Sequence, residues 1–189
     1  MTKITLVRHG ETDYNKNGLI QGRIDIPLNQ FGKKQALLTA KHFINQEIDT
    51  IISSPLSRAT ETASIIAREI NYQGEIIFDQ AFVERDFGPV DGKDYLPIVN
   101  QLFADKITGM EKNEQLIKRI MTGLNNVVTK YHRQSIMIVC HSHSIKAILN
   151  STDPEKYDFS YPLQNCGVTL LEYNQNQYKI IKASYNDYL

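Results

Sequence analysis

The sequence predicts an α/β fold: a three-layer α/β/α sandwich around a mostly parallel central sheet. Three observations carry this reading. Short β-rich apolar runs end abruptly in glycine, serine or proline; amphipathic segments of helical period lie between them; and the two kinds alternate along most of the chain. At 189 residues the chain can bury a substantial core. We read it as one domain over 1–189, with an irregular, lid-like excursion at about 86–112.

The elements follow in order. KITLV (3–7) is a strand bounded by Gly10. Residues 29–46 place Ala36, Leu37, Ala40, Phe43 and Ile44 on one helical stripe behind Asn29 as N-cap. DTIISS (49–54) is a second strand, stopped by Pro55. The helix at 57–70 takes Ser57 as its cap and gathers Ala59, Ala63, Ile66 and Ile70 on one side. EIIF (75–78) is a third strand. Gly88, Pro89, Gly92, Pro97 and Gly109 interrupt residues 86–112, which carry short helices. Leu116, Ile120, Leu124, Val127 and Val128 mark a helix over 113–132. QSIMIVC (134–140) is a strand, SIKAIL (144–149) a helix, and VTLLEY and YKIIKASY are two closing strands.

Composition narrows the function. Lys plus Arg equal Asp plus Glu at 21 each, so the chain lacks the basic footprint of a nucleic-acid binder. Cys140 and Cys166 have no metal-ligand spacing and read as reduced thiols. The N-terminus shows no apolar signal core, and no window reaches transmembrane length. A cytoplasmic protein without a membrane partner is expected.

In open α/β sheets ligands gather at the carboxyl ends of the strands. Here those ends carry Arg8 and His9, then residues 53–58 with Arg58, then His141. Two arginines and two histidines in one pocket make an anion site, because the planar guanidinium fork suits tetrahedral oxyanions. His141 and Ser142 stand at a strand-to-helix turn, where free N–H groups also favour anions.

The ordered set LVRHGET, QGRIDIPLNQFG, SSPLSRATETA, VERDFG and VCHSHSIKAIL resembles the histidine phosphatase superfamily in its phosphoglycerate-mutase-like branch. The resemblance spans nearly the whole chain. It implies a phosphoglycerate-mutase-like fold and a metal-independent phosphomonoesterase, without a cofactor, acting on a small-molecule phosphate ester. His9 would become a transient phosphohistidine. Arg8, Arg58 and His141 would stabilise the transferred phosphoryl group, and Glu84 would serve as acid and base. Asn15, Gln21 and Gly22 match positions that in relatives contact the phosphate or shape its pocket, and the Ser142 N–H would be a further phosphate ligand.

The chain departs from the family pattern after His141, where Ser142-His143-Ser144 stand in place of one or two glycines. His143 has two readings: a helix residue turned away, which is the default, or a border of the pocket. Asn165 is open between a turn residue and a pocket neighbour, Glu11 between orienting its neighbours and being solvated. Thr12 reads as a cap, Cys140 as core, and His42 and His132 as structural.

Three functions compete. A mutase needs a second anion clamp, which relatives supply through an arginine pair in a long insertion. Only 56 residues separate Glu84 from His141 here, and 86–115 contain no arginine. Within 89–115, Lys93, Lys106 and Lys112 are outnumbered by Asp91, Asp94, Asp105, Glu111 and Glu114. Hydrolysis is therefore favoured. A non-catalytic phospho-ligand module has no need of both a nucleophile and an acid. The apolar residues of the excursion suggest a leaving group that is partly apolar or aromatic.

Overall fold

The computed structural model describes residues 1–187. Its single sheet is built from β1 (Thr2–Arg8), β2 (Thr50–Ser53), β3 (Ile77–Phe78), β4 (Ser135–Cys140), β5 (Val168–Asn174) and β6 (Gln177–Tyr185) in the order β3-β2-β4-β1-β5-β6. The first four strands in that order run parallel, and β5 and β6 add an antiparallel edge. The central strands alternate their side chains between two helical layers, as the period of two demands. Leu6, Ile52 and Ile138 meet α5 (Asn113–Lys130) and α6 (Ser142–Thr152), whereas Val7, Ile51 and Val139 meet α2 (Gln30–Phe43) and α3 (Ser57–Glu69). Two short helices, α1 (Asp13–Lys16) and α4 (Val99–Phe103), lie in the connections. Among the described residues, no helix is long and apolar enough to cross a membrane.

Asn29 caps α2 as expected, its side chain accepting the Gly32 N–H. Three local expectations fail. Ile44 lies past the end of α2 and is exposed, so the buried stripe ends at Phe43. Ser57 is the first residue of α3 rather than its cap. The cap position is Leu56, and the missing acceptor comes from Asp25, whose carboxylate takes both the N–H and the hydroxyl of Ser57 at 2.8 and 2.7 Å. The third strand is also shorter than EIIF, two residues at the sheet edge.

The turn after β1 is fixed by close contact with α2. The Glu11 carbonyl accepts the Asn29 N–H, its carboxylate accepts from the Asn29 side chain, and its own N–H donates to Gln35. Glu11 is thus an orienting residue. A side chain at Gly32 would run into the Glu11 backbone. Replacing a helical glycine by alanine normally stabilises by about 1 kcal/mol. Here we expect the opposite sign: Gly32→Ala should lower unfolding stability by about 1–3 kcal/mol in urea denaturation, as overpacking does.

Candidate active site

Register places the two histidines side by side. Arg8 pairs with Cys140 across β1 and β4, and the His9 N–H donates to the Cys140 carbonyl at 3.0 Å. His9 and His141, each one residue further on, lie with ring centroids 5.2 Å apart. The Nδ1 of His9 is 2.7 Å from the Gly10 carbonyl, which can only accept. Nδ1 therefore carries the ring proton and Nε2 keeps its lone pair. Burial, then Arg58 and Arg8, push the His9 pKa well below 6.5, so the ring is neutral.

His141 is fully buried, and its pKa is likewise lowered by burial and by Arg58. Its Nε2 lies 2.7 Å from the Ser54 hydroxyl, whose oxygen also accepts the Leu56 N–H. With the hydroxyl proton given to Nε2, the imidazole proton sits on Nδ1. That atom is buried without a partner, a donor held for an acceptor the protein does not supply.

The arginines are anchored by carbonyls. Arg8 Nη1 donates to Leu163 at 2.5 Å. Arg58, fully buried in the first turn of α3, donates from Nη2 to Gly22 at 2.7 Å and from Nη1 to Ile24 at 3.1 Å. The Nε atoms of both are buried and unpartnered. Among the described residues, neither guanidinium forms a salt bridge. Burial brings Arg58 down to about 10, which leaves it charged at neutral pH. The segment holding Arg58 is itself clasped, since Asp91 accepts the N–H groups of Gly22, Arg23 and Ile24 at 2.7, 2.8 and 3.0 Å.

Glu84 enters after a 3-10 turn that Asp79 caps. Its carboxylate accepts the Arg85 N–H at 2.8 Å and the His143 N–H at 3.2 Å. Burial nevertheless outweighs these bonds and the attraction of the arginines, and its pKa is raised.

A cavity of about 430 Å³ opens over these groups. Arg8, His9, Asn15, Gln21, Glu84 and Ser142 line it, and Arg58 and His141 are buried beside it. Asn15 accepts from Asn165, which also donates to the His9 carbonyl. Gln21 is steadied by the Thr12 hydroxyl, and Thr12 caps α1. Gly22 does not line the cavity; its carbonyl holds Arg58 instead. Among the described residues, no group of three or more His, Cys, Asp or Glu could hold a metal ion.

His143 and Lys146, three residues apart on α6, both line the cavity, and nothing in the sequence singles out Lys146. His143 is not turned away: it lies edge-on to Phe87 and stacks on Phe159, with centroids 5.0 and 5.8 Å away. The excursion supplies the apolar wall through Phe87, Tyr95 and Leu102. Arg85 fastens it to Asp105 and the Glu111 carbonyl, and Arg119 grips the Glu111 carboxylate through two nitrogens, each at 2.9 Å.

Comparison with known proteins shows the family and the fold. The sequence profile of the histidine phosphatase superfamily (branch 1) matches residues 4–186. The phosphatase PhoE of Bacillus subtilis, itself uncharacterised, is 35% identical over 195 residues, covering 100% of this chain and 97% of the relative. A mutant phosphoserine phosphatase from Entamoeba histolytica, solved with phosphoserine, superposes with a TM-score of 0.87 at 25% identity, covering 100% of both chains. The same organism's phosphoserine phosphatase bound to 3-phosphoglyceric acid gives 0.86 at 26% identity, covering 100% of this chain and 99% of that one.

The clasp on residues 22–24 yields a test. Asp91→Asn replaces one of the two accepting oxygens by an amide donor facing an N–H. We expect inorganic phosphate to bind about 10-fold more weakly by calorimetry, about 1.4 kcal/mol, with the circular dichroism spectrum unchanged.

Proposed function

The chain belongs to the histidine phosphatase superfamily, branch 1, and from that premise we propose a metal-independent phosphomonoesterase working through a phosphohistidine on His9. One observation carries the reading: a neutral imidazole whose Nδ1 is tied to Gly10 presents an unengaged Nε2 to the cavity shared with Glu84 and Arg8. Nε2 attacks phosphorus, the P–O ester bond breaks, and Glu84 gives its proton to the leaving oxygen. Glu84 then takes a proton from water, the hydroxide displaces His9 from phosphorus, and inorganic phosphate departs. Arg8, Arg58, the Nδ1–H of His141 and the Ser142 N–H meet the equatorial oxygens. Asn15 and Gln21 complete the phosphate's surroundings, and Gly22 serves by holding Arg58.

The relatives named above support a small phosphate ester as substrate, and the excursion at 86–112 would act as its lid. The missing arginines of that excursion favour hydrolysis over mutase transfer. A cytoplasmic setting would keep the two buried cysteines, Cys140 and Cys166, reduced, and burial pushes Cys166 up to about 12.

We expect p-nitrophenyl phosphate to be cleaved between pH 5 and 8, radiolabelled phosphate to be trapped on histidine after rapid quench, and His9→Ala to lose about 10³-fold or more in kcat. No cleavage and no trapped phosphohistidine would overturn the proposal, and conversion of 3-phosphoglycerate to 2-phosphoglycerate without phosphate release would make the enzyme a mutase. The pH profile follows from the two shifts. His9 must be neutral, and its lowered pKa puts the rising limb of kcat/KM below pH 6.5. Glu84 must be protonated to serve the leaving group, so activity falls as pH rises through a pKa above 4.5. Glu84→Gln should remove that falling limb for an activated ester such as p-nitrophenyl phosphate.

A further inference from the structure

The Arg8-His9 segment is held on one side by β4 and on the other by residues 163–167, the approach to β5. Because β5 runs antiparallel to β1, this approach lies at the same end of the sheet as the carboxyl ends of β1 and β4. The Leu163 carbonyl accepts from Arg8 Nη1, and the Gly167 carbonyl accepts the Arg8 N–H at 3.1 Å. The Cys166 N–H is shared between the carbonyls of Arg8 and His9, at 3.0 and 3.2 Å. Asn165 adds a contact through its side chain, in the cavity wall. The turn itself does not need that side chain: Cys166 takes a left-handed φ of 55°, and the Gly167 N–H closes on the Gln164 carbonyl at 2.9 Å.

A side-chain amide has one accepting end and one donating end, and here backbone groups decide which is which. The Asn165 amide faces two oxygens, the His9 carbonyl and Asn15 Oδ1, each at 3.1 Å. A carbonyl oxygen only accepts, so the atom facing it is Nδ2. The Asn15 amide in turn meets the Thr12 N–H at 3.2 Å and this nitrogen of Asn165. Both are donors, so the atom between them is Oδ1. The Asn15 nitrogen is thereby turned the other way. Among the described residues it has no partner, and Asn15 lines the cavity. The capping box of α1 needs only the bond to Thr12. That bond is long, and alone it would hold Asn15 by one contact. Reversed, Asn15 would set its nitrogen against two donors and turn an oxygen toward a phosphate dianion.

We propose that Asn165 is a positioning residue for phosphate binding: anchored on the His9 carbonyl, it fixes which end of the Asn15 amide meets the phosphate. This rests on the phosphatase reading and adds to it a residue that acts through Asn15 rather than on the phosphate itself. The fixed point of the relay is the main chain of the nucleophile. The same backbone that carries the His9 ring decides, through two amides, that a donor and not an acceptor stands beside the transferred group. Asn165 is therefore a pocket residue, and its neighbours Cys166 and Gly167 make the turn.

The test is a double-mutant cycle read by calorimetry with inorganic phosphate, over the wild type, Asn165→Leu, Asn15→Ala and the pair. Leucine keeps the bulk of asparagine and removes its donor. We expect Asn165→Leu and Asn15→Ala each to weaken phosphate binding about 10-fold, with circular dichroism unchanged. The double variant should bind no more than about 3-fold more weakly than Asn15→Ala alone. A residue that only fills the wall would cost the same whether Asn15 is present or absent. If the leucine variant does not fold, Asn165→Ala gives the same cycle. An unchanged affinity in the folded Asn165 variant, or losses that multiply to about 100-fold in the pair, overturns the proposal. Cleavage of p-nitrophenyl phosphate by the wild type alongside either result shows that the positioning role has failed while the phosphatase reading stands. A wild-type protein that neither binds phosphate nor cleaves the ester removes both.

Discussion

Everything at the cavity depends on the parallel pairing of β1 with β4, Arg8 opposite Cys140. The pairing sets both histidines one step beyond the last paired residues. A slip of one position would send the two rings to opposite faces of the sheet. What prevents the slip is the core: Leu6 and Ile138 pack toward one helical layer, Val7 and Val139 toward the other. The residues that hold the fold in register are therefore the ones that align the chemistry, although none of them lines the cavity.

A second constraint concerns how the positive groups are held. Leu163 holds Arg8, Gly22 and Ile24 hold Arg58, and Phe159 holds Lys146, in each case by a backbone carbonyl. A carbonyl orients a cation without cancelling its charge, whereas a carboxylate would do both. By contrast, Arg85 and Arg119 pair with Asp105 and Glu111, and these two fasten the excursion. The choice of partner divides the cations into those that hold the protein together and those left available to an anion. The cost of the second kind, several kcal/mol for an uncompensated buried ion, is offset by the apolar clusters on both sides of the sheet.

Much of this was legible in the sequence because strand ends and local caps are short-range features. The run into Arg8-His9-Gly10, the cap at Asn29 and the alternation of strands with helices each follow from neighbours within a few residues. What escaped depends on distant partners. Asp25 caps α3 from 32 positions away, and Asp91 reaches back to the N–H groups of residues 22–24. Neither bond leaves a periodic trace. Which side of α6 carries His143 and Lys146 is illegible for another reason. Residues 143–149 of α6 are all buried, so no polar face indicates which side of the helix meets the cavity and which the core.

The clasp from Asp91 has a mechanical meaning. The carboxylate belongs to the roof of the chamber, while the peptide it grips is the cradle of Arg58. Roof and cradle are one linkage rather than two independent parts. Were the first lifted, the second would come unfastened with it, and access to the chamber and the grip on its contents would change together.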